Sequence, residues 1–254
     1  MEQLRKPFQG VTNILRFNWH FYVLFFGFLC LLLLFVRYFN EPFRSFFLFT
    51  LVVVIAITLV SVLVSYYVYD LSGLYAFDWL GKSMLDGKGR IVNIHAGFDE
   101  TSVLLRTILD PSELVVLDFY DPKKHTEVAI KRARRAYPAF PDTIRADTTH
   151  LPLPDHVADE VFTILAAHEI RNEEERIIFF KELSRILKAN GTIIVTEHLR
   201  DIANFLAYNI GFFHFYSKKT WLDTFDSAGL LVRKEIKITP FITTFILEKN
   251  GITP

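Results

Sequence analysis

The chain has one cysteine in 254 residues and no excess of either charge. A single thiol, Cys30, excludes an intramolecular disulfide and any zinc site built from cysteines; it fits a soluble part facing a reducing compartment. Lys+Arg and Asp+Glu balance at 28 each, so no basic field calls for nucleic acid, and none is expected as a partner. The eight histidines show no ligand spacing such as H-x-x-x-H, and no metal is predicted.

Charge is also missing locally. Twenty residues between Arg16 and Arg37 carry no formal charge, nor do twenty-five between Arg44 and Asp70. A helix rises ~1.5 Å per residue, so about 20 residues cross a hydrocarbon core ~30 Å thick. Charges bracket both runs, and Trp19, Tyr22, Tyr38, Tyr66, Tyr67 and Tyr69 gather near their ends, where amphipathic rings meet headgroups. The first run is too long for the apolar region of a cleaved signal, and no small-residue cleavage site precedes the second. Both are too long and too free of charge for ordinary core helices. Residues 1–70 are therefore expected to form a transmembrane helical hairpin, making this an integral protein of a plasma or inner membrane with the lipid bilayer as a partner. Arg5, Lys6 and Arg16 before the hairpin, and Lys82, Lys88 and Arg90 after it, favour a cytoplasmic soluble domain. Residues 71–88 read either as an interfacial connector lying on the membrane or as a helix covering the sheet of the domain that follows.

From residue 89 to 254 the pattern alternates. Runs at Ile91 to His95, Leu114 to Phe119, Thr143 to Ala146 (a short one), Asp159 to Ala167 and Thr192 to His198 read as strands, Leu114 to Phe119 and Thr192 to His198 as buried ones. Helical stretches separate them: Glu100 to Leu109, one from Asp121-Pro122 to Tyr137, and one capped by Asn172 and ended by Asn190-Gly191. A helix near Lys219 to Ala228 precedes two runs joined around Pro240, which read as an antiparallel hairpin. The predicted fold is α/β, a Rossmann-like mostly parallel sheet with helices on both faces and an antiparallel edge hairpin. Ligands of such sheets bind beyond the carboxyl ends of the strands. That rule selects Asn93 to Asp99, Asp118 to Asp121, Asp147 to Thr149, Ala166 to Glu169 and Glu197 to Asp201.

The stretch RADTTHLPLPDHVADEVFTILAAHEI, followed by FFKELSRILKANGTIIVTEH, resembles the class I S-adenosylmethionine-dependent methyltransferase family. In that family an acidic residue ends the third strand, a Leu-Pro-x-Pro-Asp turn follows, and a helix ends in Leu-Lys-Pro-Gly-Gly before the fifth strand. The resemblance implies S-adenosylmethionine as cofactor. Asp118 would hold the ribose hydroxyls, since a carboxylate accepts two hydrogen bonds from a diol. Phe119 would pack on the adenine, and Asp147 with Thr148 would meet its amino group. The structural alternative for Asp118 is a strand-end Asp that caps its own turn. Glycine is scarce where the family is rich in it. Instead of an acidic residue followed by Gly-x-Gly-x-Gly, the chain has Asn93, His95, Ala96, Gly97 and Asp99, so the methionine end would meet side chains rather than bare backbone. Asp99 or Glu100 would have to supply the carboxylate missing at Asn93.

A sulfonium methyl is already electrophilic, so the protein mainly has to hold a nucleophile in line with it and, where needed, take a proton. His168 and His198, each beside a Glu, are the candidate bases; tying loops together is the alternative for both. The aromatic stretch Asn204 to Trp221, with Tyr208, His214 and Tyr216 as polar handles, reads as an acceptor pocket or a membrane contact. The basic residues Lys123, Lys124, Lys131, Arg132, Arg134 and Arg135 read as a solvated helix face or a headgroup contact. The expected activity is methyl transfer to a hydrophobic or lipid-like small-molecule acceptor. The rival is a methyltransferase-like interaction module that has lost its cofactor. A dinucleotide enzyme is disfavoured because the first turn lacks G-x-G-x-x-G. Acceptor identity and oligomeric state are not legible in the sequence.

Overall fold

The computed structural model describes residues 5–81 and 89–251. Helix α1 (Gln9–Phe17) leads into α2 (Trp19–Tyr38) and α3 (Phe43–Tyr66), which pack against each other as a hairpin. Both α2 and α3 are long and apolar enough to cross a membrane, and they leave large side chains such as Leu24 and Phe49 exposed.

A π turn, Tyr67–Leu71, continues α3, and two 3-10 turns follow at Leu74–Ala76 and Asp78–Leu80. This segment is not laid out along a surface. Leu74, Tyr75, Phe77 and Leu80 are buried against Ile91, Leu105 and Phe162. Residues 74–80 thus cover the sheet, through two 3-10 turns rather than a helix; residues 82–88 lie outside the described part.

The remaining elements are β1 (Arg90–His95), α4 (Ser102–Leu109), β2 (Glu113–Asp118), α5 (Val128–Ala136), β3 (Ile144–Arg145), β4 (Ala158–Ile164), α6 (Glu173–Ile186), β5 (Leu187–His198), α7 (Ile202–Tyr208), α8 (Lys218–Ser227), β6 (Leu230–Thr239) and β7 (Ile242–Lys249). They form one seven-stranded sheet in the order β3-β2-β1-β4-β5-β7-β6. Strands β1 to β5 run parallel, and β7 pairs antiparallel with both β5 and β6. Because side chains alternate across a strand, Val92, Val161 and Ile193 enter one core with Phe179, Phe180 and Trp221, while Ile91, Phe162 and Ile194 enter the other. The Rossmann-like sheet with its antiparallel hairpin is as expected.

Some boundaries differ. The helix expected from Asp121 begins only at Val128, because Asp121 instead builds a turn: its side chain accepts from the Lys123 N–H, and its own N–H donates to His125 Nδ1. Helix α6 stops at Ile186 rather than at Asn190-Gly191. Leu187 already pairs with Ala158, and ladder hydrogen bonds there outweigh the helix-ending pattern in the sequence.

Candidate active site

The parallel register brings the tips of β1, β2, β4 and β5 to one edge. At the end of β1, Asn93 is fully buried and donates through Nδ2 to Thr101 Oγ1 at 2.9 Å and Ser102 Oγ at 2.8 Å, fastening the strand to α4. Asp99 caps α4, its Oδ1 accepting from the Thr101 and Ser102 N–H groups. Between them His95 is buried, with Nδ1 accepting from the Gly97 N–H at 3.1 Å. Burial chiefly pushes the His95 pKa down, opposed by Asp99 and Asp118, so the ring is neutral and carries its proton on Nε2. Ala96 is buried beside it. Gly97 has φ +96°, and a Cβ there would come within 2.9 Å of the Tyr120 ring and 3.0 Å of the Arg134 guanidinium. That is why this one glycine persists. Asn93 Oδ1, His95 Nε2 and Asp99 Oδ2 are buried with no hydrogen-bond partner among the described residues.

Asp118 ends β2, nearly buried. Its Oδ1 accepts from the Tyr120 N–H at 2.9 Å, and Arg134 of α5 donates to Oδ2. The same guanidinium donates to the Gly97 carbonyl at 3.1 Å and lies 4.4 Å over the Tyr120 ring. Phe119 turns into the core against Phe179 and lines, with Tyr120 and His125, a pocket of about 300 Å³. Asp147 and Thr148 close its far side. Asp147 accepts from the N–H and hydroxyl of Thr149, bonds that depress its pKa, and Thr148 donates to Glu175.

A second cavity, about 370 Å³, runs from His95 and Phe98 to His168, Glu169 and Phe215. His168 follows β4. Its Nδ1 lies 2.6 Å from Glu197 Oε2, and its backbone N–H donates to Glu197 Oε1. Burial alone would push His168 down, but fully buried Glu197 and then Glu169 outweigh it, and the pKa is pushed up to about 10. Glu169 is held well below the usual carboxylate range: burial would raise it, but its bonds to His168 and His214 overcome that. The expected catalytic pair separates here. Both rings line the cavity, but the His168 nitrogens meet the carboxylates Glu197 and Glu169, whereas those of His198 meet neutral groups: Tyr69 O–H donates to Nε2 at 2.7 Å, and Nδ1 lies 3.0 Å from Asn204 Oδ1 and 2.9 Å from the Phe241 carbonyl. Burial pushes His198 down to about 4.

Helix α1 roofs this cavity with Gly10, Asn13, Ile14 and Phe17. Asp70, sixty residues away in sequence, accepts from the N–H groups of Gly10 and Val11 at 2.8 Å each and so caps α1 from outside. Glu100 accepts from Arg5, Asn13 and Tyr75, and Phe17 meets Phe98 edge-on at 5.6 Å.

Residues 105–195 match the family model of a methyltransferase domain. The match covers about a third of the chain. No curated protein sequence matches the chain. Among solved structures it is similar to an S-adenosylmethionine-dependent methyltransferase from Aquifex aeolicus, with 16% identity, 70% of this chain and 93% of that one covered, and a TM-score of 0.52. It is also similar to one from Clostridium acetobutylicum ATCC 824, with 10% identity, 70% and 92% covered, and a TM-score of 0.52. At these identities the likeness concerns the fold. The expectations of a class I methyltransferase and of S-adenosylmethionine as its cofactor agree with the matched family and with the strand order.

The matched stretch begins within α4, past the glycine-poor turn, and includes Asp118, Asp147 and His168. S-adenosylmethionine fits the residues present with one rearrangement. The Phe119 pocket beside Asp118 suits adenosine, and the unpartnered polar atoms of Asn93, His95 and Asp99 suit the amino acid end. Arg134 must leave the Asp118 carboxylate for a ribose diol to reach it. Arg134 was read in the sequence as part of a basic helix face; the structure turns it, and Arg132 (which donates to the Phe17 carbonyl), toward the site and its roof. Sequence spacing also missed Glu127 beside His214, the Tyr69 bond to His198, and the roof itself, because each rests on contacts between segments far apart in the chain.

Proposed function

We propose that this protein is a membrane-anchored methyltransferase that moves the methyl group of S-adenosylmethionine to an apolar small-molecule acceptor taken from the bilayer. The observation that carries the reading is the cavity between the β1 turn and His168, roofed by the helix that leads directly into α2. The segment after β5 supports it. His214 and Phe215 turn into the cavity, while Ile202, Leu206, Ile210 and Phe213 stay exposed on the outside, next to an α7 that packs on α3. An apolar rim beside two exposed apolar helices suits entry from a membrane. Tethering raises encounter with a dissolved lipophile, and the flanking charges favour a domain on the cytoplasmic side of a plasma or inner membrane. Both histidines expected to act on the acceptor, His168 and His198, line the cavity.

The test uses the full chain in lipid nanodiscs with S-adenosylmethionine labelled on its methyl group and a lipid extract as acceptor pool. Label entering the organic phase, together with calorimetric binding of S-adenosylhomocysteine, is the expected result. Absence of cofactor binding at millimolar concentration would overturn it. The interaction-module reading, favoured by the seat of Arg134 on Asp118, would then stand. Extraction of the chain by alkaline carbonate would overturn the anchor by itself.

A further inference from the structure

Three donor atoms converge at the edge of the acceptor cavity. Glu169 Oε1 lies 3.3 Å from His168 Nε2 and 3.4 Å from His214 Nε2. The ligand atoms of the three residues all lie within 4.8 Å of one another. The opposite nitrogen of each ring is backed by a carboxylate: His168 Nδ1 by Glu197 at 2.6 Å, and His214 Nδ1 by Glu127 at 3.2 Å. Metal-binding histidines are held this way, with one nitrogen forward and the other donating to a carboxylate that fixes ring angle and tautomer. Ordinary loop-tying has no need for the same arrangement on two rings from separate segments.

Charge points the same way. Glu169, Glu197 and Glu127 gather around two imidazoles, and Glu197 is wholly buried. Arg171 donates to the His214 carbonyl at 2.6 Å, and its Nη2 lies against both ring nitrogens of His214, so a metal ion at the trio displaces that guanidinium. The trio also opens onto a cavity in which His95 Nε2, buried, has no partner among the described residues.

We propose that His168, Glu169 and His214 bind one divalent transition-metal cation of the zinc class. Two imidazoles and one carboxylate suit zinc and its first-row neighbours, whereas calcium and magnesium favour oxygen donors. Three protein ligands leave a coordination position open, and here it faces the cavity. The role of that position rests on the methyl-transfer reading: it takes the oxygen or sulfur of the acceptor. On coordination the acceptor gives its proton to solvent. Its lone pair then forms the bond to the methyl carbon while the methyl–sulfonium bond breaks, leaving S-adenosylhomocysteine and an unchanged metal. Binding of the cation does not depend on this role.

The experiment is a titration of the full chain, purified in detergent and stripped with chelator, with zinc(II) by calorimetry and cobalt(II) by visible absorption. One equivalent should bind, cobalt should give ligand-field bands, and the metal should raise the melting temperature. Glu127→Gln should weaken binding roughly tenfold, and His214→Ala and Glu169→Gln by more than that, in protein whose circular dichroism is unchanged. Failure of the folded wild type to bind, or binding unaltered in His214→Ala and Glu169→Gln, would overturn the site and leave a network of carboxylates and imidazoliums. Binding of S-adenosylhomocysteine to the stripped protein is measured alongside. If it binds and zinc does not, only the metal site falls; if zinc binds and it does not, the metal site stands and the methyl-transfer reading falls.

Discussion

Arg134 bridges Asp118 and Gly97, so one guanidinium ties the second strand tip to the first turn. It covers the carboxylate that a ribose would need. The pair is partly open to solvent, and such pairs are worth about 0–1 kcal/mol. Displacing Arg134 is therefore a modest cost to cofactor binding. Arg134→Ala is expected to tighten S-adenosylhomocysteine up to about fivefold by calorimetry, which is 1 kcal/mol in affinity. Asp118→Ala is expected to abolish binding. Weaker binding in Arg134→Ala would instead assign that guanidinium to the cofactor carboxylate.

Glu160 gives the domain a pH dependence unrelated to the site. Burial, then the neighbouring Asp159, raises its pKa to about 7 from the ordinary 4.5. A carboxyl raised in the folded state stabilises the fold below the unfolded value and loses that contribution as pH rises from 4.5 through 7. At 1.36 kcal/mol per unit, the ionised form costs on the order of 3 kcal/mol. Glu160→Gln is expected to raise the melting temperature by about 5 °C at pH 8 and to leave it unchanged near pH 4.5. Equal shifts at both pH values would rule out titration as the cause.

What could be read in advance follows the range of the forces involved. Strands β1, β2, β4 and β5 carry apolar runs, and Asp118 ends β2 and Asp147 follows β3 by local rules alone. Leu187 to Gly191 misled because Lys-Ala-Asn-Gly reads as a helix end, while its pairing with β4 is set by a distant strand. His168 and Glu169 are adjacent, but His214 is forty-five residues away, so no spacing test could join them. Arg134 looked solvated because only the folded α5 turns it toward Asp118.

His198 titrates in the opposite sense to Glu160. Burial holds its pKa down to about 4, below the ordinary 6.5. Its contribution is complete above 6.5 and is lost as pH falls through 4, at most on the order of 3 kcal/mol. Tyr69 donates to its Nε2, so a protonated ring loses that bond as well. Tyr69→Phe is expected to cost about 1–2 kcal/mol at pH 8 by leaving the nitrogen buried and unpaired. Chemical denaturation at pH 8 and pH 4.5 checks both. A smaller penalty at pH 4.5 is expected, since the wild type has then begun to lose the same bond.

Gly10 sets how closely the roof can sit. A Cβ there would come within 2.4 Å of Tyr69 Cβ, a contact that no side-chain rotation relieves. The same turn of α1 is held by Asp70, whose two oxygens take the Gly10 and Val11 N–H groups. Gly10→Ala should therefore push α1 away from Asp70 and open the cavity, even though alanine is the better helix former by about 1 kcal/mol. Asp70→Ala should loosen the roof without steric force, at a cost of about 1 kcal/mol for a lost cap. Hydrogen exchange across residues 9–17 is expected to rise in both variants, more in Gly10→Ala. If exchange rose only in Asp70→Ala, the close packing at Gly10 would not be what seats the helix. If it rose in neither, α1 would be held by Phe17 against Phe98 and Tyr137 and by Glu100, and Phe17→Ala would then be the change that frees it.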